Sequence, residues 1–247
     1  MWLYCHFPQL LLDNRVRLQP ESNTLPLAFY QLQSSQSVIV QCNALALECG
    51  VRPQLQTVMA ISLCEQLQLM EYSSEREEQA LQQLASYLYQ WAAKLVLYPP
   101  QGLAIELNSL EQLYGGRNAA FDVLAQKIQE LPITSQLAVA GNPLAAKLLA
   151  ESDSSVSLLA EKQAALLAEL PIQNAGLSLK AQKHSKAAGF RLLGELMQLP
   201  GGEVGRQLGL ETLLHLEQLQ GLKQQSHNFF MPPESFQQSL DLVTEIP

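Results

Sequence analysis

Long apolar runs are missing from this 247-residue chain: none reaches the roughly eighteen residues that a membrane-spanning helix needs. The N-terminus has no basic segment followed by an apolar core and a cleavage site. Both absences predict a soluble, unsecreted protein with no membrane role. Cysteine is sparse. Cys5, Cys42, Cys49 and Cys64 show no paired short spacing and no neighbouring histidine cluster, which argues against structural zinc and for buried free thiols. Positive charge is also short, with 15 Lys/Arg against 23 Asp/Glu and a net charge of −8. Phosphate contacts dominate nucleic-acid affinity, so the chain as a whole is poorly suited to nucleic acid. Aromatic residues make up only 6% and never alternate with basic ones, which leaves no base-stacking platform.

What is present is enough apolar material for a core. At 47% hydrophobic the chain predicts two or three subdomains. Charge is unevenly spread along it. Residues 1–162 carry 9 Lys/Arg against 15 Asp/Glu, residues 163–228 carry 6 against 5, and the last nineteen residues carry 0 against 3. Only residues 163–228 are even weakly suited to a phosphate backbone.

The apolar opening Met1–Phe7 predicts a strand ended by Pro8. Residues 26–42 predict a hairpin around Ser34 and Ser35, followed by a short helix over Ala44–Cys49 with Gly50 as its left-handed C-terminal residue. Val58–Leu67 predicts another helix. Ser74 and Glu77 read as a capping box before a long amphipathic helix whose Leu81, Leu84, Leu88 and Trp91 share a face. Lys94–Leu107 predicts strand, turn at Pro99 and Pro100, and strand. Asn118 is a candidate N-cap before the stripe of Phe121, Leu124, Ile128 and Leu131. Gln136–Ala140 reads as a strand and Asn142–Ala150 as a helix. From Leu158 the pattern is wholly helical: Leu167–Leu170, Leu179–Ala188, Leu192–Leu199 and Val204–Leu222, broken by Pro171, Gly189 and Pro200-Gly-Gly202. Ser239–Thr244 alternates like a further strand.

The Lys94–Leu107 segment closely resembles the palm hairpin of the Y-family (translesion) DNA polymerases, where the matching stretch runs Ile-Glu-x-x-Ser-x-Asp-Glu-x-x-x-Asp. In that family the Asp-Glu pair serves catalysis and metal binding. Here Gln101 and Gly102 stand at the pair, and only Glu106 matches the trailing acid. Four further segments are similar to the ImuB type of that family, which is considered non-catalytic. They are His6-Phe-Pro-Gln-Leu10, Cys49-Gly-Val-Arg-Pro53, Ser109-Leu-Glu-Gln-Leu-Tyr-Gly-Gly116 and Ala140-Gly-Asn-Pro-Leu-Ala-Ala-Lys147. The order palm strand, inserted fingers, rest of palm, helical thumb and linker is similar to that of the family and covers the whole chain. The resemblance implies an α+β fold with a Y-family polymerase-like palm (residues 1–12 and 73–160), an inserted fingers-like segment (13–72) and a helical thumb (161–223). Residues 224–247 would be a linker and the start of a little-finger-like domain that is otherwise absent.

The same resemblance implies that the polymerase machinery is gone. Two-metal phosphoryl transfer needs anionic oxygens that hold cations a few ångströms apart, and an amide or a hydrogen atom supplies none. Where the first strand of active members delivers an Asp, this chain has Tyr4-Cys5-His6, and a thiolate is a poor partner for magnesium. Ala44 and Leu47 replace a Tyr and an Arg that face the incoming triphosphate, and neither can bind phosphate. Pro143 replaces a triphosphate lysine, while Lys147 survives at the helix's second lysine position and is a candidate nucleic-acid contact. No catalytic, nucleotide-binding or metal residue, and no cofactor, is therefore expected. Glu106, Glu111 and Asp122 read as solvated acids, and His184, His215 and His227 as surface residues. Lys180, Lys183 and Lys186 step by three along a helix, with Arg191 nearby, so they share a face that is either solvated or set against phosphate. Gly176-Leu-Ser178 lacks the second glycine of the family's primer-binding hairpin. Weak, salt-sensitive, sequence-independent DNA binding is the most this predicts.

By resemblance the chain would be a cytoplasmic, nucleoid-associated scaffold in damage tolerance and SOS mutagenesis. Its partners would be a RecA-like ImuA, an error-prone C-family DNA polymerase and the sliding clamp. Gln237-Gln-Ser-Leu240 is the nearest segment to a clamp-binding peptide, though it also reads as strand. Two alternatives stay open: a weak polymerase using other ligands, such as Glu106 with a main-chain carbonyl, and a decayed paralogue acting only through protein contacts.

Overall fold

The apolar opening of the chain becomes an inner strand of a sheet. The computed structural model describes residues 1–33, 36–152, 156–223 and 225–233. β1 (Trp2–His6) leads through α1 (Leu10–Leu18) into β2 (Leu27–Gln33) and β3 (Gln36–Cys42). Then come α2 (Ala44–Glu48), α3 (Thr57–Leu63), β4 (Gln68–Glu71) and the long α4 (Ser74–Leu88). β5 (Leu95–Tyr98), β6 (Gly102–Glu106), α5 (Glu111–Tyr114), α6 (Arg117–Gln129), β7 (Gln136–Ala140) and α7 (Pro143–Glu151) complete an α+β half. The remainder is helical: α8 (Ala160–Ala168), α9 (Leu179–Ala187), α10 (Leu193–Met197), α11 (Gly201–Leu208) and α12 (Leu210–Leu219).

The strands form two sheets, of order β5-β6-β1-β7 and β3-β2-β4. The first is antiparallel throughout, and in the second β4 runs parallel to β2. Side chains alternate across the first sheet, so each face builds its own core. Leu3, Cys5, Phe7, Leu103, Ile105 and Val139 pack on Leu81, Leu84 and Leu88 of α4 and on Leu124 and Ile128 of α6. Trp2, Tyr4, Val96, Ala104, Ala138 and Ala140 face the other way, into a core continued by α7 and the C-terminal helices through Leu148, Leu149, Leu193, Leu196 and Leu216. Each such leucine contributes about 1.5–3 kcal/mol of burial. The palm-like layer and the thumb-like helices thus share one core. Among the described residues no helix is long and apolar enough to cross a membrane.

Several local expectations need correction. The helix expected over Val58–Leu67 stops at Leu63, and Gln68–Glu71 pairs as β4 because its main chain finds β2. The N-cap of α4 is Ser73, whose hydroxyl accepts from the Arg76 amide, so Ser74 and Glu77 form no capping box. α4 ends at Leu88, so Trp91 packs from the turn beyond it. α6 starts after Gly116, and Asn118 lies inside its first turn. The helix expected at Leu167–Leu170 runs over Ala160–Ala168. Pro200 caps α11, which contains Gly201 and Gly202, and the expected Val204–Leu222 helix is split at Gly209, where φ is +94°. The turn residues Ser34 and Ser35, the Gln237–Leu240 peptide and the Ser239–Thr244 strand lie outside the described residues.

Candidate functional site

The antiparallel pairing of β1 with β6 sets His6 opposite Gly102 and Cys5 opposite Leu103. The Phe7 amide donates to the Gln101 carbonyl at 2.7 Å. The end of β1 and the β5–β6 turn are therefore neighbours, as the resemblance requires. Their side chains divide between the two faces. Cys5 is fully buried in the core with α4 and α6, where burial pushes its thiol well above the ordinary range. It does not share a face with Gly102. Alternation puts Tyr4 and His6 on that face instead.

Gly102 has no room for a side chain. A Cβ there would overlap the Tyr4 hydroxyl oxygen and stand 2.6 Å from its Cζ. Tyr4 is itself buried, and its ring meets Tyr98 edge-on at 5.4 Å. Burial, with Glu151 and Tyr98 nearby, holds the Tyr4 phenol far above its usual range, so it stays neutral. Gln101 is turned inward. Its amide nitrogen donates to the Pro8 carbonyl at 3.3 Å and to the Glu77 carboxylate at 3.1 Å. The residues present do not fit a pair of divalent cations: one pair position carries an amide donor already engaged, and the other is covered by a phenol.

Around this turn the buried Nδ1 of His6 has no hydrogen-bond partner among the described residues, while other polar groups are paired. Lys147 sits 3.7 Å from Glu151 and 5.7 Å from the Tyr98 ring centroid. Burial raises the Glu151 carboxyl, partly offset by Lys147. Burial lowers His6, Lys147 lowers it further, and the Gln101 backbone raises it. The Asn142 side chain caps α7 by accepting from the Ala145 amide at 2.9 Å, and it donates to the Leu219 carbonyl at 2.9 Å. Pro143 occupies the first turn of that helix. Ala44 is exposed at the start of α2, and Leu47 packs on the small core of the second sheet. Glu106 pairs with Lys94 at 3.0 Å at the far end of β6, and Glu111 pairs with Arg117 at 2.8 Å.

The thumb-like helices offer a different surface. Ser178 caps α9, whose Ala181 and Ser185 face inward, so Lys180, Lys183 and Lys186 are all exposed. Arg191 is exposed just beyond. None of the four pairs with an acid among the described residues. Lys147, the other candidate for nucleic-acid contact, lies on α7, half-buried. Exposed Arg206 on α11, which packs on α9, adds a cation that periodicity within one helix could not assign. Two histidines read as surface residues are not free: His215 Nε2 lies 2.7 Å from the Ala175 carbonyl, and the His227 ring packs on Trp2 at 4.8 Å. That second contact belongs to a strap in which Phe230 donates its amide to the Leu95 carbonyl at 2.8 Å.

Residues 5–151 match the family described as IMS: impB/mucB/samB family. Protein ImuB from Caulobacter vibrioides, in strain NA1000 / CB15N and in strain ATCC 19089 / CIP 103742 / CB 15, is 22% identical over 184 residues. That match takes in 74% of this chain and 40% of the relative, so the chain spans well under half of those relatives' length. The crystal structure of DinB from Sulfolobus solfataricus is similar with a TM-score of 0.68 at 16% identity, covering 92% of this chain and 69% of that one. The insertion ternary complex of Dbh DNA polymerase gives a TM-score of 0.73 at 16% identity, with the same coverage. At such identities the likeness is one of fold.

Proposed function

The chain belongs to the impB/mucB/samB family, and from that premise we propose that it acts in DNA damage tolerance without catalysing synthesis itself. One observation carries the reading. The space where a side chain at Gly102 would present an acid is occupied by buried Tyr4. Loss of a single charge-stabilising donor costs an enzyme about 2.7–4 kcal/mol of barrier. Here the acid pair, the triphosphate Tyr and Arg, and the first lysine are all replaced, at Gln101, Gly102, Ala44, Leu47 and Pro143.

On this reading the palm-like, fingers-like and thumb-like segments hold a primer–template weakly while another polymerase does the chemistry. Lys180, Lys183, Lys186 and Arg191 supply sequence-independent phosphate contacts, and Arg206 extends them. The similarity to Protein ImuB supports a scaffold role in translesion synthesis and SOS mutagenesis, with ImuA, a C-family polymerase and the sliding clamp as partners. The test is fluorescence anisotropy of a primer–template over a salt series, with primer extension on the same sample. Binding that weakens with salt and yields no extension is expected. Extension with magnesium or manganese overturns the non-catalytic reading. Absence of binding at low salt overturns the DNA-holding one in favour of a purely protein-bridging adaptor.

A further inference from the structure

We propose that Glu77 is a buried carboxylate pin that fixes the three-stranded sheet to the four-stranded one, with Gln101 as one of its legs. Glu77 is 0% exposed, and no cation pairs with it among the described residues. A charge in that position persists only when hydrogen-bond donors replace its hydration. Four do so. One oxygen accepts from the Leu11 amide at 3.1 Å and from Gln41 Nε2; the other accepts from the Tyr72 hydroxyl and from Gln101 Nε2 at 3.1 Å.

These donors come from separate parts of the fold. Gln41 lies on β3 and Tyr72 just after β4, both belonging to the three-stranded sheet, while Gln101 lies in the turn of the four-stranded one. Leu11 lies in α1, the helix by which the chain first crosses between the sheets. That helix lacks a cap of its own, since the Gln9 side chain makes no capping bond. Its free amides are capped from elsewhere: Leu11 by Glu77, and Leu12 by Gln41 Oε1 at 3.0 Å. A carboxylate there also meets the positive end of the helix dipole. Gln101 fits this arrangement because an amide donates. An ionised acid of similar length has no proton to give and would set two negative charges side by side. A surface spanning both sheets is then preformed, and a partner lying across it meets no ordering cost from their relative motion. The inference stands on these bonds and does not depend on whether the chain holds DNA.

The experiment pairs amide exchange with a distance measurement. Spin labels are placed at exposed Met59 on α3 and exposed Leu113 on α5, in a Cys49→Ser background that removes the exposed native thiol. The unaltered chain is expected to give one narrow distance distribution. In Glu77→Gln the distribution should broaden, and the Leu11 and Leu12 amides should exchange at least about tenfold faster, the loss of one charged hydrogen bond. Exchange in β1 should not change. Gln101→Leu, which removes one leg and keeps the carboxylate, should move both readouts in the same direction by less, and it serves if Glu77→Gln does not fold. Gln101→Glu should loosen the sheets more than Gln101→Leu. Adding Glu77→Gln to it reverses donor and acceptor and should restore part of the protection. A narrow distribution with unchanged Leu11 and Leu12 exchange in Glu77→Gln or Gln101→Leu, or no recovery in the reversed pair, overturns the pin.

Discussion

At the β5–β6 turn the amide of Gln101 is spent on Glu77 and Pro8, and Tyr4 closes over Gly102. On α9 the opposite holds: Lys180, Lys183 and Lys186 stand in solvent with no acid paired to them among the described residues. On the proposed reading the first region corresponds to a polymerase's chemistry and the second to its grip on substrate. In the first, the Gln101 amide is engaged inside the protein and the Gly102 position is covered by Tyr4. In the second, long cationic side chains stay free in solvent, which is the state a screened, sequence-independent phosphate contact needs. The difference is that between a turn whose side chains are turned into the protein and a surface left available.

The sharpest attempt to break this contrast is to restore the acids. Gln101→Asp with Gly102→Glu should lose about 1–3 kcal/mol of stability by forcing a side chain into Tyr4, and should gain no primer extension. Denaturant unfolding and an extension assay check both, and extension gained without loss of stability would mean that the turn can still be opened for chemistry. Next in size is the other side of the comparison. Replacing Lys180, Lys183 and Lys186 with Ala should weaken primer–template binding tenfold or more at low salt. The slope of log affinity against log salt should shrink by about 0.7–0.9 for each phosphate that is no longer neutralised. An unchanged slope would place the grip elsewhere.

A smaller effect concerns His6, whose folded value is lowered from 6.5 by burial and by Lys147. The unfolded chain then binds the proton more readily than the folded one. Stability from this group is complete above pH 6.5 and is lost as pH falls from 6.5 through the lowered folded value. Burial raises Asp13 and Glu151 above 3.8 and 4.5 respectively, so they act with the opposite sign at more acidic pH. Midpoint temperatures of the native chain and of His6→Gln, measured from pH 8 down to 5, should diverge just below 6.5. Parallel curves would show that His6 is solvated in both states. The smallest change is expected remote from both regions. Phe229 is 44% exposed, stacks on Trp2 at 6.4 Å and lies under Lys94. Phe229→Ala should cost about 0.5–1 kcal/mol and leave DNA affinity unaltered, and a matching loss of affinity would tie the strap to the grip.

Much of the framework is legible in the sequence. The apolar run Met1–Phe7 ended by Pro8, the Pro99-Pro100 corner and the helical pattern of Asn142–Ala150 each carry their own local signal, and β1, the β5–β6 hairpin and α7 form where those signals stand. β4 is not legible, because Gln68–Glu71 has little strand character of its own and depends on the main chain of β2. Glu77 reads as a capping residue because serine followed by glutamate is an N-terminus signature wherever it occurs. Its actual hydrogen-bond partners lie 66, 36, 5 and 24 positions away. Register sets Cys5 beside Gln101 and Gly102, and strand alternation turns it to the opposite face.

By itself the sequence determined that positions 101, 102, 44 and 47 carry no side chain that can become anionic, whatever the fold. It also determined where β1, the β5–β6 hairpin and α7 form, since hydrophobic pattern and turn residues act over a few positions. Only the tertiary structure decided that Tyr4 covers Gly102, that Lys147 lies over the Tyr98 ring, and that a buried carboxylate bonds to both sheets. Those outcomes depend on contacts between segments far apart in the chain, where position in space, and not spacing in sequence, sets which groups can meet.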